Sequence, residues 1–476
     1  MMALQKLYPL KALAHKEMIT VWRDNTFRAA AIVLSLLLLA AALTGIQQYR
    51  QEAQEREAAA QQFRQQWLQQ HPKHPHIAAH FGNFAVMPLT ALSLFDQGLN
   101  AYTGKVVYLE PHKQNEFSFK PSEEQDGTAR FGGLSMALLL QWLFPLMIVF
   151  SCFNAFTAER ESGNLKLLYS QGVSFTLLFT GKFAGRMVLI LLLLLPCILL
   201  LAGACLFIPT AQPMAARVLL LVLLYTGYLA LCVALSLLVS AHAGNGRTAV
   251  LSLLLLWMVS TILLPKWAAS AGNNLYPLPD KYEFAAAIRA DIIQGIDGHN
   301  PQNARALALR KQLLQQYGVD TISKLPFNFE GYVMQAGEEY SSKVYDVHFA
   351  RLQHTLALQN RFTQWAGIIN PYLAVHQLSM ALCGTDYYSH LHFQQQAEAY
   401  RRYFVQQMNG DMKDHSVLGD WDYKASATVF NNVRPFSYTP PSVAVALRPY
   451  ATGACSFLIW FIILLGVVSS GNHTKL

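Results

Sequence analysis

Six apolar stretches, each near the ~20 residues a helix needs to cross a bilayer core and without an interior charge, constrain this chain more than any other feature. They run about Ala29–Ile46, Leu134–Phe156, Phe183–Ile208, Val218–Ser240, Thr248–Leu264 and Tyr450–Ser469. A chain of 476 residues has room for several soluble domains, but 53% hydrophobic and 13% charged residues fit a lipid solvent instead. The formal charge of +8 comes from basic residues scattered beside the apolar runs. That pattern meets anionic headgroups and offers no stripe for nucleic acid. Five of the six cysteines, Cys152, Cys197, Cys205, Cys232 and Cys455, lie in apolar stretches, leaving only Cys383 in a polar region, so no internal disulfide framework is expected.

The first run follows a segment, 1–28, that is too long for an ordinary signal n-region, so it reads as a retained anchor. Within that segment Leu7, Leu10, Leu13, Ile19 and Val21 interleave with Lys6, Lys11 and Lys16, as in a helix lying among headgroups. Positive residues resist translocation. Lys6, Lys11, Lys16, Arg23 and Arg28 therefore put the N-terminus in the cytoplasm, and six crossings bring Arg160, Lys166, Lys182, Arg186, Arg247 and Lys475 to the same side.

The expected fold is an all-α polytopic membrane protein. Residues 1–28 form a cytoplasmic interfacial helix, 29–46 the first span and 47–131 an extracytoplasmic segment. Residues 132–264 hold spans two to five with a short cytoplasmic helix at 157–173, residues 265–449 form a second extracytoplasmic segment, and 450–476 the sixth span and a cytoplasmic tail. Gln47–Gln70, rich in Gln, Glu and Ala, carries the first helix beyond the membrane. The second outer segment reads as mainly helical: Asn300–Pro301 and Asn370–Pro371 are N-cap and first-turn pairs, and Leu307, Leu314 and Tyr317 mark an apolar face before a stop at Gly318. Trp267, Tyr276, Trp421, Tyr423 and Tyr450 read as headgroup anchors.

The spans carry no ionisable group away from their ends, with Arg186 and Arg217 near boundaries and Gln141 the most polar interior residue of the second span. This disfavours coupling to an ion gradient. HExxH, GxSxG and the Walker A loop are absent from the sequence, so the chain is not expected to be an enzyme or to bind a cofactor of its own.

The stretch from Phe156 to Val173 carries the most information. Glu159, Arg160 and Glu161 supply both charge signs for docking a soluble partner, and Leu165 and Leu168 read as an apolar ridge on a short lever. It resembles the coupling-helix region of type-2 ABC permeases, E-R-E-x-G-T-L-x-x-L-L-x-x-P-V followed by G-K. The match falls at Glu159, Arg160, Glu161, Gly163, Leu165, Leu168, Val173 and Gly181–Lys182, and departs at Asn164 and Gly172. Two further regions resemble a bacterial subgroup of that family with a large outer insertion. One comprises His71–Gly82, Leu94–Gly98 and Tyr102–Gly104; the other comprises His376–Asp386, His390, His392 and Phe393.

The resemblance implies a permease subunit in the bacterial inner membrane, working as a dimer with a second copy or a paralogue. Separate ATPase subunits would bind the ATP and magnesium. Glu159, Arg160, Glu161, Gly163, Leu165, Lys166 and Leu168 would form the ATPase-coupling site. Export, or force transmission to an extracytoplasmic partner, is the expected activity. The alternatives are a membrane-anchored scaffold or sensor, and a metal-handling permease. The last rests on His71, His74, His76 and His80, although Pro72 and Pro75 argue against one helix presenting them together, and turn formation and surface hydrogen bonding are the preferred reading. The pair His390 and His392 has still less support as a ligand set.

Overall fold

A computed structural model describes residues 2–118, 134–208, 214–296 and 302–470. The expected cap at Asn300–Pro301 and the tail residue Lys475 lie outside the described residues. Among those described, six helices are long and apolar enough to span a membrane. The chain is an all-α polytopic membrane protein carrying one small sheet.

Helix α1 (Met2–Arg23) turns at Asp24, whose carboxylate caps α2 (Asn25–Leu68) by accepting from Thr26 N–H at 2.8 Å. At 1.5 Å per residue α2 is about 66 Å long, roughly twice a bilayer core, so the Gln/Glu/Ala-rich half leaves the membrane as a continuous rod. A short α3 (Pro75–Phe81) follows, then an antiparallel sheet of β1 (Asn83–Val86), β2 (Val106–Leu109) and β3 (Gln114–Ser118) in the order β1-β2-β3. This sheet was not expected from sequence. Its strands are four or five residues long, too short for an alternating pattern to stand out.

The second span begins at Met136, passes through a π turn at Leu139–Leu143 and continues as α4 (Phe144–Cys152). Two short helices, α5 (Thr157–Glu161) and α6 (Asn164–Ser170), precede the third span, α7 (Phe175–Phe207). The fourth is α8 (Ala215–His242). The fifth is α9 (Gly246–Met258), a π turn at Val259–Leu263 and α10 (Leu264–Leu275). The expected end of that span at Leu264 is passed: Pro265 follows the π turn in a helix that continues to Leu275, the same accommodation of a proline ring as at Pro145.

Helices α11 (Lys281–Gln294), α12 (Gln302–Tyr317), α13 (Phe329–Ile369), α14 (Pro371–Cys383), α15 (Tyr387–His415) and α16 (Ala427–Asn432) make up the second polar segment. The sixth span comprises α17 (Val443–Leu447), a 3-10 turn and α18 (Ala451–Ser470). Helix α12 does stop at Gly318, whose φ of 64° suits a residue without Cβ. Its buried residue is Leu313, however, and Leu307 is 66% exposed.

The end of α2 enters the polar domain, where Trp67 packs with Phe404 and Phe430 and donates to the Phe430 carbonyl at 3.0 Å. Parts of the polar segments return into the bundle, which the sequence reading did not foresee. Leu373, Ala374, Val375, Leu382 and Cys383 of α14 are buried in the bundle core, together with Ala91, Leu92, Leu94 and Phe95. Cys383 is thus a core residue.

Proline explains how this insert is held. Pro145 cannot donate to the Gln141 carbonyl four residues earlier, and the π turn there widens the helix to accommodate the ring. The freed Gln141 carbonyl accepts from Tyr228 hydroxyl at 3.1 Å. Asn370, which caps α14, donates to the Ser260 carbonyl in the other π turn at 2.7 Å. A buried chain then runs from His376 Nδ1 to Gln141 Oε1 (3.0 Å), Gln141 amide to Tyr225 hydroxyl (2.8 Å), Tyr225 to Ser379 (2.8 Å) and Ser379 to Asp96 Oδ2 (2.5 Å). Each donor points toward the carboxylate.

Several expected headgroup anchors contact other residues of the protein. Tyr450 is buried and donates to Asp386 at 2.7 Å, Tyr423 donates to Asp411 at 3.1 Å, and Trp421 stacks on His74. Trp267 remains exposed.

Candidate functional site

Helices α5 and α6 form a short hairpin beyond the second span. Gly163 between them adopts φ 76° and Gly172 after them φ 81°, both in the left-handed region where an L side chain is strained. Ser174 then caps α7, accepting from Leu177 N–H at 3.2 Å. The hairpin is therefore set at its turn and at its exit by backbone geometry.

Glu159 and Arg160 are half-buried against the bundle, while Glu161 stays exposed at its edge, and all three bond to neighbouring helices. Arg160 donates through both terminal guanidinium nitrogens to the carbonyls of Ala241 and Ala243, satisfying the exposed acceptors at the end of α8. Glu161 Oε1 accepts from Gly246 N–H at 2.9 Å, at the start of α9. Glu159 Oε1 lies 2.9 Å from Lys182 Nζ and 3.8 Å from Lys16 Nζ. One turn of five residues thus ties together α1, α7, α8 and α9.

Behind it lies a buried ion cluster that the sequence reading missed. Lys182 Nζ is 2.8 Å and Arg186 Nη1 2.7 Å from the two oxygens of Glu17. Arg186 also donates to the Ser151 carbonyl at 3.3 Å, near the end of α4. Burial alone raises the Glu17 carboxyl, but Arg186 and Lys182 outweigh it and hold the group below the usual carboxylate range. The apolar run expected to form the third span begins at Phe183, which leaves Lys182 outside and Arg186 at the boundary. The helix starts at Phe175, so both lie within it.

Gly181 and Gly185 let α1 come close enough for these bonds. A Cβ at Gly181 would fall 2.7 Å from Leu13 Cβ, and one at Gly185 would fall 2.5 Å from the Ala14 carbonyl oxygen. This is the small-xxx-small packing of apolar helices. Helix α1 therefore lies against α7, a contact that the picture of a helix resting among headgroups did not contain.

The apolar ridge differs from expectation. Leu165 is buried and Leu168 half-buried against the bundle core, while Lys166 is exposed and Leu167 is 56% exposed. The outward face of the hairpin is Asn164, Lys166, Leu167, Ser170 and Gln171. The hairpin thus joins an exposed face to four helices.

Residues 11–316 match the family described as ABC-2 family transporter protein. The chain belongs to this family. It is accordingly a multi-pass membrane permease subunit of an ABC transporter, of a kind that works with a separate ATPase subunit. Residues 281–439, most of the second polar segment of this ABC-2 permease, match a domain of unknown function, DUF3526. No curated protein matches the chain.

The histidines separate into two groups. His71 is exposed. His74 accepts from His76 N–H at 3.3 Å and caps α3, with Pro75 at the first helical position. Pro75 opens a helix that carries His76 and His80 but leaves His71 and His74 outside it, so no single helix presents the four together. His76 and His80 then share one face of α3, beside His112 of the β2–β3 turn. Burial and the neighbouring His80 and His112 push His76 down to about 4, whereas the hydrogen bond to Glu338 raises His112. His390 is largely buried and His392 lies 3.3 Å from the Tyr438 hydroxyl, so neither joins that group.

Proposed function

We propose that the α5–α6 hairpin is the coupling element of this permease, receiving motion from its ATPase and passing it to the third, fourth and fifth spans through Glu159, Arg160 and Glu161. The observation that carries this reading is the division of labour in the hairpin: Lys166 and Leu167 face outward while the charged triplet bonds to Lys182 within α7, the end of α8 and the start of α9. In this reading Gly163 and Leu165 shape and seat the hairpin, and Leu168 packs it onto the core. The hairpin and both termini are cytoplasmic, following the positive flanks. The polar domain is extracytoplasmic, in the inner membrane of a bacterium, and two permease chains sit over two ATPase subunits that hold ATP and magnesium. Hydrolysis drives export of a substrate or moves the polar domain against an extracytoplasmic partner.

Docking and coupling are separable by mutation. The double variant Lys166→Glu/Leu167→Asp removes the outward anchor, and its co-isolation with the ATPase in nanodiscs is expected to fall about tenfold, the effect of ~1.4 kcal/mol. Arg160→Ala leaves the outward face intact, so assembly persists while hydrolysis no longer drives the conformational cycle. Wild-type assembly and coupling in both variants would refute the assignment.

A further inference from the structure

His76 and His80 lie four residues apart on α3, so both rings project from one face of the helix. Their centroids are 4.7 Å apart, and His112 approaches them at 5.7 and 5.1 Å. One ligating nitrogen from each ring can be chosen so that all three lie within 4.8 Å of one another. A tetrahedral zinc ion holds its nitrogens about 3.4 Å apart, given Zn–N distances of about 2.05 Å. Side-chain rotation of partly exposed rings can close that gap without moving the backbone.

The support around the rings is built. His112 is the non-glycine residue with positive φ (69°) among the described residues, a backbone conformation that costs energy unless its surroundings impose it. Glu338 imposes it: one carboxylate oxygen accepts from His112 N–H at 2.7 Å and sits 2.5 Å from Nδ1. A carboxylate only accepts, so the proton stays on Nδ1 and the Nε2 lone pair is left for a metal. Glu338 is itself buried, with Arg401 3.3 Å from its other oxygen. Tyr108 donates to the His80 carbonyl at 2.7 Å and fixes α3 to β2. A carboxylate behind a histidine is the usual outer shell of a zinc site.

We propose that His76, His80 and His112 bind a divalent transition cation of the zinc class in the polar domain, with Glu338 orienting His112. Three imidazoles suit zinc, copper or nickel and not magnesium or calcium. They leave a fourth position for water or a donor atom from a partner. The site is independent of the hairpin and of the ATPase assignment.

Calorimetric titration of zinc chloride into the metal-stripped full-length chain in detergent tests this, with magnesium chloride as the second probe. The expected result is one zinc per chain and no magnesium. His80→Ala and His112→Ala should each abolish stoichiometric zinc binding, Glu338→Gln should weaken it about tenfold or more, and His71→Ala should leave it unchanged. Gel filtration of the exposed-residue variant His80→Ala establishes that it is folded. Absence of zinc binding by the wild-type chain, equal binding by His80→Ala, or loss on His71→Ala with His112→Ala unaffected would overturn the site.

Discussion

Lys182 and Arg186 stand one turn apart on α7 and converge on the single carboxylate of Glu17, so the buried Glu17 carboxylate balances both cations only while α1 is in place. Removing one partner of a buried ion cluster strands the others, at about 3–5 kcal/mol. Glu17→Ala should therefore lower the thermal stability of the purified chain far more than Lys16→Ala, whose ammonium is largely exposed and only 3.8 Å from Glu159. The triple replacement of Glu17, Lys182 and Arg186 by Met should recover much of the loss, since the buried charges are removed together and Glu159 keeps the exposed Lys16 3.8 Å away. The pH dependence follows from the same bonds. Because Glu17 titrates below its ordinary value of 4.5, its contribution is complete above that pH and disappears as pH falls through the lower folded-state value. A stability curve that falls less below pH 4.5 in Glu17→Gln than in the wild type is the check. None of this was visible locally, because Glu17 and Lys182 are 165 positions apart.

At the scale of elements, the close contact of α1 with α7 depends on Gly181 and Gly185. Adding one methyl at Gly185 places it against the Ala14 backbone, where nothing flexible can yield. Gly185→Ala should cost about 1–3 kcal/mol by overpacking and speed tryptic cleavage at Lys11 and Lys16 as α1 lifts away. Gly203 on the same helix has open space around it, so Gly203→Ala should instead gain up to about 1 kcal/mol from helix propensity. Equal protease resistance in the two variants would show that α1 is not held by this contact. The type of most long elements was legible from local chemistry: six apolar runs, the Gln- and Glu-rich extension of α2 and the Asn370–Pro371 start of α14 all form helices. Boundaries were less so. The third span gained its first two turns because Ser174 caps it, and the fifth passed Pro265 because a π turn precedes it.

For the whole molecule, the decisive feature is that a polar segment closes on the bundle through hydrogen bonds to helices opened by proline. Tyr225→Phe interrupts the chain from Gln141 to Ser379 and Asp96. It leaves buried groups without partners at about 1–3 kcal/mol. Hydrogen exchange should accelerate in α14, and unchanged protection there would mean that apolar packing alone seats the insert. What the amino-acid sequence determined unaided was the solvent, the number of crossings, the helical class and the membership shown by the hairpin motif, because bilayer thickness and helix periodicity act on consecutive residues. Tertiary structure alone decided that Glu159, Arg160 and Glu161 bond to α7, α8 and α9, that α1 docks on α7, that α14 enters the core and that His112 joins His76 and His80. Those outcomes depend on side chains brought together from distant positions, where burial and pairing of charge outweigh any local preference.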